Sequence, residues 1–388
     1  MQRSEQRILT THAGSLPRPQ PLTELYAARV DGESVDEAQL AHQAQRAVAE
    51  IVPKQIDAGI DIINNGEQSR EAFFLYVQRR MSGFGGRGER QPWRDVVNYP
   101  DFLAARNREN AGKAAVSNMA PPKVVGEIRY LDRALVEQEC EQFEAVLGAH
   151  PQRFVESFVT APSPGIIAAA IPNEHYDTFD NYLAALTNAL KVEYQTIVER
   201  GHLLQLDCPD LAMERHISFA DRPLHEFIDF VEQVIDAINK ALTGIARDRV
   251  RLHVCWGNYE GPHDLDVPLA DILTPILGAR VGAFLFSMAN PRHAHEHVCF
   301  RNNVLDDDQI LLAGVIDTTT NFVEHPEVVA QRIELAARAV GDPTRVIAAT
   351  DCGFDTSAGM GRVAESIVWA KLRALSDGAA IASKRLFS

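Results

Sequence analysis

The 388-residue chain contains no run of about eighteen or more apolar residues, so no membrane-spanning helix is expected. It has no surplus of positive charge. Lys and Arg number 38 against 53 Asp and Glu, a net charge of −15, and the basic face that a nucleic-acid partner requires is not expected. It has no C-x-x-C pair. Its five cysteines (Cys140, Cys208, Cys255, Cys299 and Cys352) are odd in number and widely spaced, which argues against a disulfide framework. Each is left as a buried apolar residue, a metal ligand or a nucleophile. No G-x-G-x-x-G follows the first strand-like run, which counts against an open doubly wound sheet, the second-best architecture. The opening stretch MQRSEQRILTTHAGS lacks the apolar centre of a signal peptide, so a cytoplasmic enzyme of small molecules is expected.

What the chain does contain is alternation. Apolar, β-rich runs occur at RILTTHAGS, GIDIINNGE, KVVGEIRY, RFVESFVTAPS, LLQLDCPD, VRLHVCWGN, GAFLFSMAN, ILLAGVIDTTT and RVIAATDCGF. Between most of them lie segments such as LHEFIDFVEQVIDAINKALTGI, with apolar residues three and four apart, the helical period. Strands alternating with helices predict a parallel sheet, and eight such units close a (β/α)8 TIM barrel. KVVGEIRY is the surplus strand. It follows a polar stretch rich in Arg and Gly, so residues 79–135 are expected to form an excursion after the second strand that borders the active face. The expectation is one barrel domain over residues 1–388 carrying that insertion.

Polar residues cluster where the strands stop: Ser15, Glu67, Asp207, His253 with Cys255, Ser287, Asp317, and Asp351 with Cys352. In a barrel these ends meet at one mouth, where the active site sits. Alternate residues of a strand face the same side, so His253 and Cys255 share a space, and Cys352 ends a later strand. Two thiols and an imidazole suit zinc better than magnesium, calcium or manganese, and three protein ligands leave a position open for chemistry. Zinc with two thiolates binds a further thiol and keeps it deprotonated and nucleophilic. That points to S-alkylation; hydrolysis by a metal-bound water, which usually uses histidine and carboxylate ligands, is the weaker alternative.

In combination and in this order, TTHAGSLPRP (10–19), NNGE (64–67), LLQLDCPDL (203–211), LHVCWGNYEGPH (252–263) and ATDCGFDT (349–356) resemble the cobalamin-independent methionine synthase family. The likeness is to its short, single-barrel members and runs from about residue 8 to residue 375. The resemblance implies a barrel that binds Zn2+, takes a small-molecule thiol and an alkyl donor, and serves methionine biosynthesis by methyl transfer to homocysteine. On that likeness His253, Cys255 and Cys352 match the zinc ligands. Ser15 matches the serine that holds the thiol substrate, and Glu67 and Asp207 match the carboxylates that grip its amino group.

Three departures accompany the likeness. Ser287 stands where the family has a glutamate as fourth zinc ligand, with His293 and His295 nearby as substitutes or as helix caps. Full-length members place a proton-donating histidine after the aspartate of this strand; here IDTTT offers Thr319 after Asp317, and these two are the catalytic candidates. The folate-packing tryptophan has no counterpart in TAPSPGIIAAAIP. Trp256, Asn258 and Tyr259 follow the ligands into the mouth and are candidates for packing on the donor. A related group opens epoxides with coenzyme M, and Arg18, Arg70 and Arg292 are candidates to hold its sulfonate. An epoxide:thiol transferase and a non-catalytic zinc- or thiol-binding barrel are the competing readings. Homo-oligomerisation is left open.

Overall fold

The structure, a computed structural model, describes residues 1–302 and 304–388. Its strands are β1 (Ile62–Ile63), β2 (Phe84–Gly85), β3 (Lys123–Val124), β4 (Glu156–Pro162), β5 (Leu203–Asp207), β6 (Val250–Val254), β7 (Ala283–Ser287), β8 (Ile310–Ile316) and β9 (Val346–Thr350). β1 and β4 to β9 form one parallel sheet in chain order. Its two edges are joined by the first strand-like run. Thr10 bridges Ala348 of β9 and Thr11 bridges Ile62 of β1, both in parallel, so the sheet curls round and closes with an eighth strand position. This closure excludes the open doubly wound alternative and gives a TIM-like barrel.

The helices pack outside. Glu37–Asp57 is started by Asp36, whose carboxylate accepts from the Ala38 and Gln39 amides. It buries Leu40, Ala44, Ala47, Val48, Ile51 and Val52, one face at helical spacing. Pro326–Val340 begins with proline in its first turn and stops at Gly341, which takes φ 82°. Phe179–Glu199, Leu224–Ala241, Leu269–Leu277 and Glu365–Leu386 complete most of the outer layer. Between β7 and β8 the described residues form only a short 3-10 turn, Glu296–Phe300, because that polar segment offers no apolar stripe for a longer helix. No helix among the described residues is long and apolar enough to cross a membrane.

Strand alternation decides what faces inward. Ala283 and Leu285 of β7 join Leu9, Phe158, Leu203, Leu312 and Ile347 in a core inside the barrel. Phe284 and Phe286 face the helices. On β6, Val250, Leu252 and Val254 take the helix side, which leaves Arg251 and His253 pointing in. The register then pairs Gln205 with Arg251 and Asp207 with His253 on neighbouring strands.

The segment 79–135 leaves the sheet after β1 and returns before β4. It forms the antiparallel β2–β3 pair and the helices Arg94–Val97 and Pro100–Asn110. Pro100–Asn110 buries no residue, so it carries no apolar period to betray it in the sequence.

Candidate metal centre

His253, Cys255 and Cys352 each offer a ligand atom, and these atoms lie within 4.8 Å of one another. All three side chains are buried. β6 supplies His253 on its inward side and Cys255 just past its end, and β9 brings Cys352 beside them just past its own end. The two sulfurs are 3.8 Å apart. His253 Nδ1 lies 2.9 Å from Asp207 Oδ1, its register partner on β5. That contact orients the ring and makes Nε2, which lies 3.2 Å from the Asp351 carbonyl oxygen, the candidate ligand atom. Behind it runs a chain of hydrogen bonds. Gln205 donates to Asp207 Oδ1 at 2.7 Å, and Arg251 donates to Gln205 Oε1 at 2.8 Å. The Arg251 guanidinium also lies 3.5 Å over the Phe158 ring and donates to the His12 carbonyl.

The electrostatics suit a cation. Burial works against a charged His253, but the Asp207 hydrogen bond and the Cys255 sulfur outweigh it and raise its pKa to about 10. The hydrogen bond from Cys352, helped by His253, holds the Cys255 thiol well below its usual range, while the same bond pushes Cys352 up. An imidazole anchored by a carboxylate and a thiol of lowered pKa are groups that a soft divalent ion binds in place of their protons. The donor set, its burial and its oriented imidazole fit such an ion.

The trio forms part of the wall of a cavity of about 520 Å³. Ser15, Glu67, Asp207, Asn258 and Tyr259 line it as well. Glu67 is held in an uncommon way. It follows Gly66 (φ 65°) and itself takes φ 56°, a left-handed conformation that costs a non-glycine residue about 1 kcal/mol. Its Oε1 accepts from Thr160, while its Oε2 is buried with no hydrogen-bond partner. Burial, then the nearby Asp207 charge, raises Glu67 to about 7. Gly14 makes room for it, since a Cβ there would stand 2.7 Å from Glu67 Oε1. Ser15 Oγ accepts from the Asp355 amide at 3.3 Å. Asn258 donates to the Gly353 carbonyl at 2.7 Å, tying the β6 and β9 loops together.

Other expected site residues are not brought to this cavity. Trp256 follows Cys255 and so turns to the opposite side. Its indole N–H bonds the Val267 carbonyl and its ring stacks 3.9 Å from His293. Asp317 is used within its own turn, where Oδ1 accepts from the Thr319 amide, the Thr319 hydroxyl and the Thr320 amide. Neither Asp317 nor Thr319 is part of the cavity wall. Ser287 donates to the Asp351 carbonyl, and His293 is taken up by Asp266 and Glu296. Arg18 and Arg70 are buried behind Glu67 on Asp355 and Glu139, and Arg292 reaches the Asp264 carbonyl; none faces the cavity. The cations that do line it are Arg90, Arg106, Lys113 and Arg362. Of these, three come from the inserted segment, whose arginine-rich composition was their only trace in the sequence.

The sequence of a methionine synthase from Sulfurisphaera tokodaii is 25% identical over 89% of this chain and 85% of its own length. One from Saccharolobus solfataricus is 23% identical over 97% of this chain and 95% of its own. In sequence the chain is thus similar, along most of its length, to proteins named methionine synthase. No family model matches it. The fold agrees with that of a B12-independent methionine synthase from a Shewanella species, solved in complex with selenomethionine. The TM-score is 0.73 at 20% identity, covering 98% of this chain and 99% of that one. The likeness to these synthases runs along nearly the whole barrel rather than through one motif.

Proposed function

We propose that the protein transfers a methyl or alkyl group to the sulfur of a thiol amino acid such as homocysteine, with zinc as its metal. One observation carries this reading. The floor of a single cavity joins a His–Cys–Cys trio to two buried carboxylates, and one of these, Glu67, has an oxygen without a partner. A relative named methionine synthase that matches 89% of the chain supports it.

In this reading His253, Cys255 and Cys352 hold the zinc, which when bound keeps the substrate thiol ionised near neutral pH. Asp207 orients His253 and, with Glu67, receives the substrate ammonium. A buried carboxylate raised to about 7 gains most from a cation placed against it. Ser15 lies beside them in the cavity wall and orients the amino acid. The substrate sulfur then forms a bond to the donor carbon as the bond from that carbon to the leaving group breaks, and the electron pair leaves with that group. Asp317 and Thr319 lie outside the cavity wall, so they are not assigned the protonation of the leaving group.

The test pairs metal analysis with transfer. The native protein, purified under reducing conditions, should hold about one zinc per chain, and Cys352→Ser much less. Loaded protein should convert homocysteine and a member of a methyl-donor and epoxide panel to a thioether, identified by mass. A native chain that takes up no zinc on reconstitution would overturn the reading.

A further inference from the structure

The outer half of the same cavity is built from the inserted segment together with Tyr259 and the loop that carries Ser357, and has a different chemistry. Trp93 and Tyr259 stack at 4.5 Å and 15°, and His263 stacks on Tyr259 at 4.1 Å. The Arg106 guanidinium lies 4.8 Å over Trp93 and 5.4 Å over Tyr259. Ring faces hold this cation in place. Among the described residues it forms no ion pair and no side-chain hydrogen bond, and its Nη1 is buried without a partner. A carboxylate in that position would cancel the charge and occupy the N–H donors; the rings do neither. Burial and the neighbouring Arg362 cation weaken its hold on its proton, the sign of an uncompensated positive site.

Three more buried donors without partners line the cavity, the Arg90 Nε–H, the Trp93 indole Nε1–H and the Ser357 hydroxyl, alongside one unpartnered acceptor of the inserted segment, Asn118 Oδ1. The Val116 amide bonds the Ala358 carbonyl, which sets the inserted segment against the loop that carries Ser357. Lys113, on that segment, adds a further cation to the wall. Buried donors left unmatched cost about 1–3 kcal/mol each, so four in one cavity, outnumbering the unpartnered acceptors Asn118 Oδ1 and Glu67 Oε2, call for a ligand that accepts.

We propose that this outer half is a subsite for an oxyanion group, a carboxylate or sulfonate, on a small molecule with an apolar or aromatic body. Arg106 is its central contact, with Trp93 Nε1–H and Ser357 Oγ–H as further donors. The subsite stands on its own geometry; its assignment to the alkyl donor rests on the transfer reading above. The acidic floor and the cationic outer half then bind the two substrates by opposite charge.

Benzoate and benzenesulfonate are suitable probes, with benzamide as the uncharged counterpart, titrated calorimetrically into the full chain. Each anion should bind saturably, more weakly at high salt, and at least about tenfold more tightly than benzamide, the scale of a charge-assisted hydrogen bond. Arg106→Gln should remove that preference. Trp93→Phe, which keeps the ring stack and deletes one N–H, should weaken both anions by about three- to tenfold. If only one anion binds, the class narrows to it. Absence of saturable binding, equal binding of benzamide, or unchanged binding by Arg106→Gln would overturn the subsite. Zinc content and unfolding temperature, followed in parallel, separate the two ideas. Failure of the metal leaves anion binding intact, and failure of the subsite leaves zinc and homocysteine binding intact.

Discussion

Glu67 offers a direct link between the fold and the proposed chemistry. Its carboxyl is buried, its Oε2 has no partner, and its pKa stands at about 7 against an ordinary 4.5, through burial first and Asp207 second. A folded-state pKa above the unfolded one means that the native state binds the proton more tightly. The stability from that proton is full below about pH 4.5 and is lost as pH rises through about 7. At about 1.4 kcal/mol per pKa unit, the whole difference is about 3 kcal/mol. Glu67→Gln removes the ionisation while keeping an oxygen to accept from Thr160. The metal-free variant should therefore exceed the native protein in urea stability by about 3 kcal/mol at pH 8 and by about 1 kcal/mol at pH 5. Other titrating groups are shared by both proteins and cancel in the comparison. The same variant should bind homocysteine about 10- to 100-fold more weakly, yet bind its deaminated thiol analogue unchanged. A stability gap independent of pH, or a native protein that is the more stable at pH 8, would refute the account of Glu67 as an unpaired carboxylate awaiting a cation.

Two further outcomes follow from neighbouring contacts. Asp207→Asn keeps the size of the group that holds His253 Nδ1 but not its charge, and should weaken zinc binding by about 10- to 100-fold in chelator competition. Glu139 sits buried between Arg70 and Arg80 and also accepts from Asn65, whose own side chain accepts from the Glu67 amide. Burial alone would raise its pKa, but the two arginines outweigh it and hold the carboxyl near about 2. Its contribution to stability is thus present above about pH 4.5 and lost as pH falls towards 2. Glu139→Gln should cost about 3–5 kcal/mol in chemical denaturation at pH 7, because it leaves buried cations short of a partner.

How legible these features were in the sequence depended on whether local pattern or distant contact decided them. The barrel could be read because strand and helix periods are local, and the strand ends of a closed barrel share a mouth whatever lies between them. The closeness of His253 and Cys255 follows from alternation alone, and Asp207 joins them through the β5–β6 register. The direction of Trp256 was available from that same alternation, which sends it away from Cys255. Asp317 was harder. IDTTT reads equally as a catalytic strand end and as a turn in which the aspartate caps the amides after it, and the structure has the turn. Arg18 and Arg70 looked like free cations because their acidic partners, Asp355 and Glu139, lie far off in the chain. The helix Pro100–Asn110 left no trace because it buries nothing.

The division of labour between barrel and insertion follows from what each can hold rigidly. A metal trio needs ligand atoms fixed to within a fraction of an ångström, and neighbouring strands in register supply that. His253, Cys255, Cys352 and Asp207 accordingly lie at or just past strand ends. A second substrate must enter and leave, and the inserted segment that borders its path is tied to the barrel by the Tyr259–Asp95 hydrogen bond, the Trp93 stack, the Val116–Ala358 hydrogen bond and ion pairs such as Arg90–Glu214. Under the proposed assignment, charge also sorts the ligands. An oxyanion is repelled from the floor by Glu67 and Asp207, and an ammonium from the outer half by Arg106 and Lys113. A thiol amino acid thus enters with its amino group towards the floor, and its sulfur comes to lie between the His–Cys–Cys trio and the donor. One cavity with opposite charge at its two ends thereby orients both reactants before any bond changes.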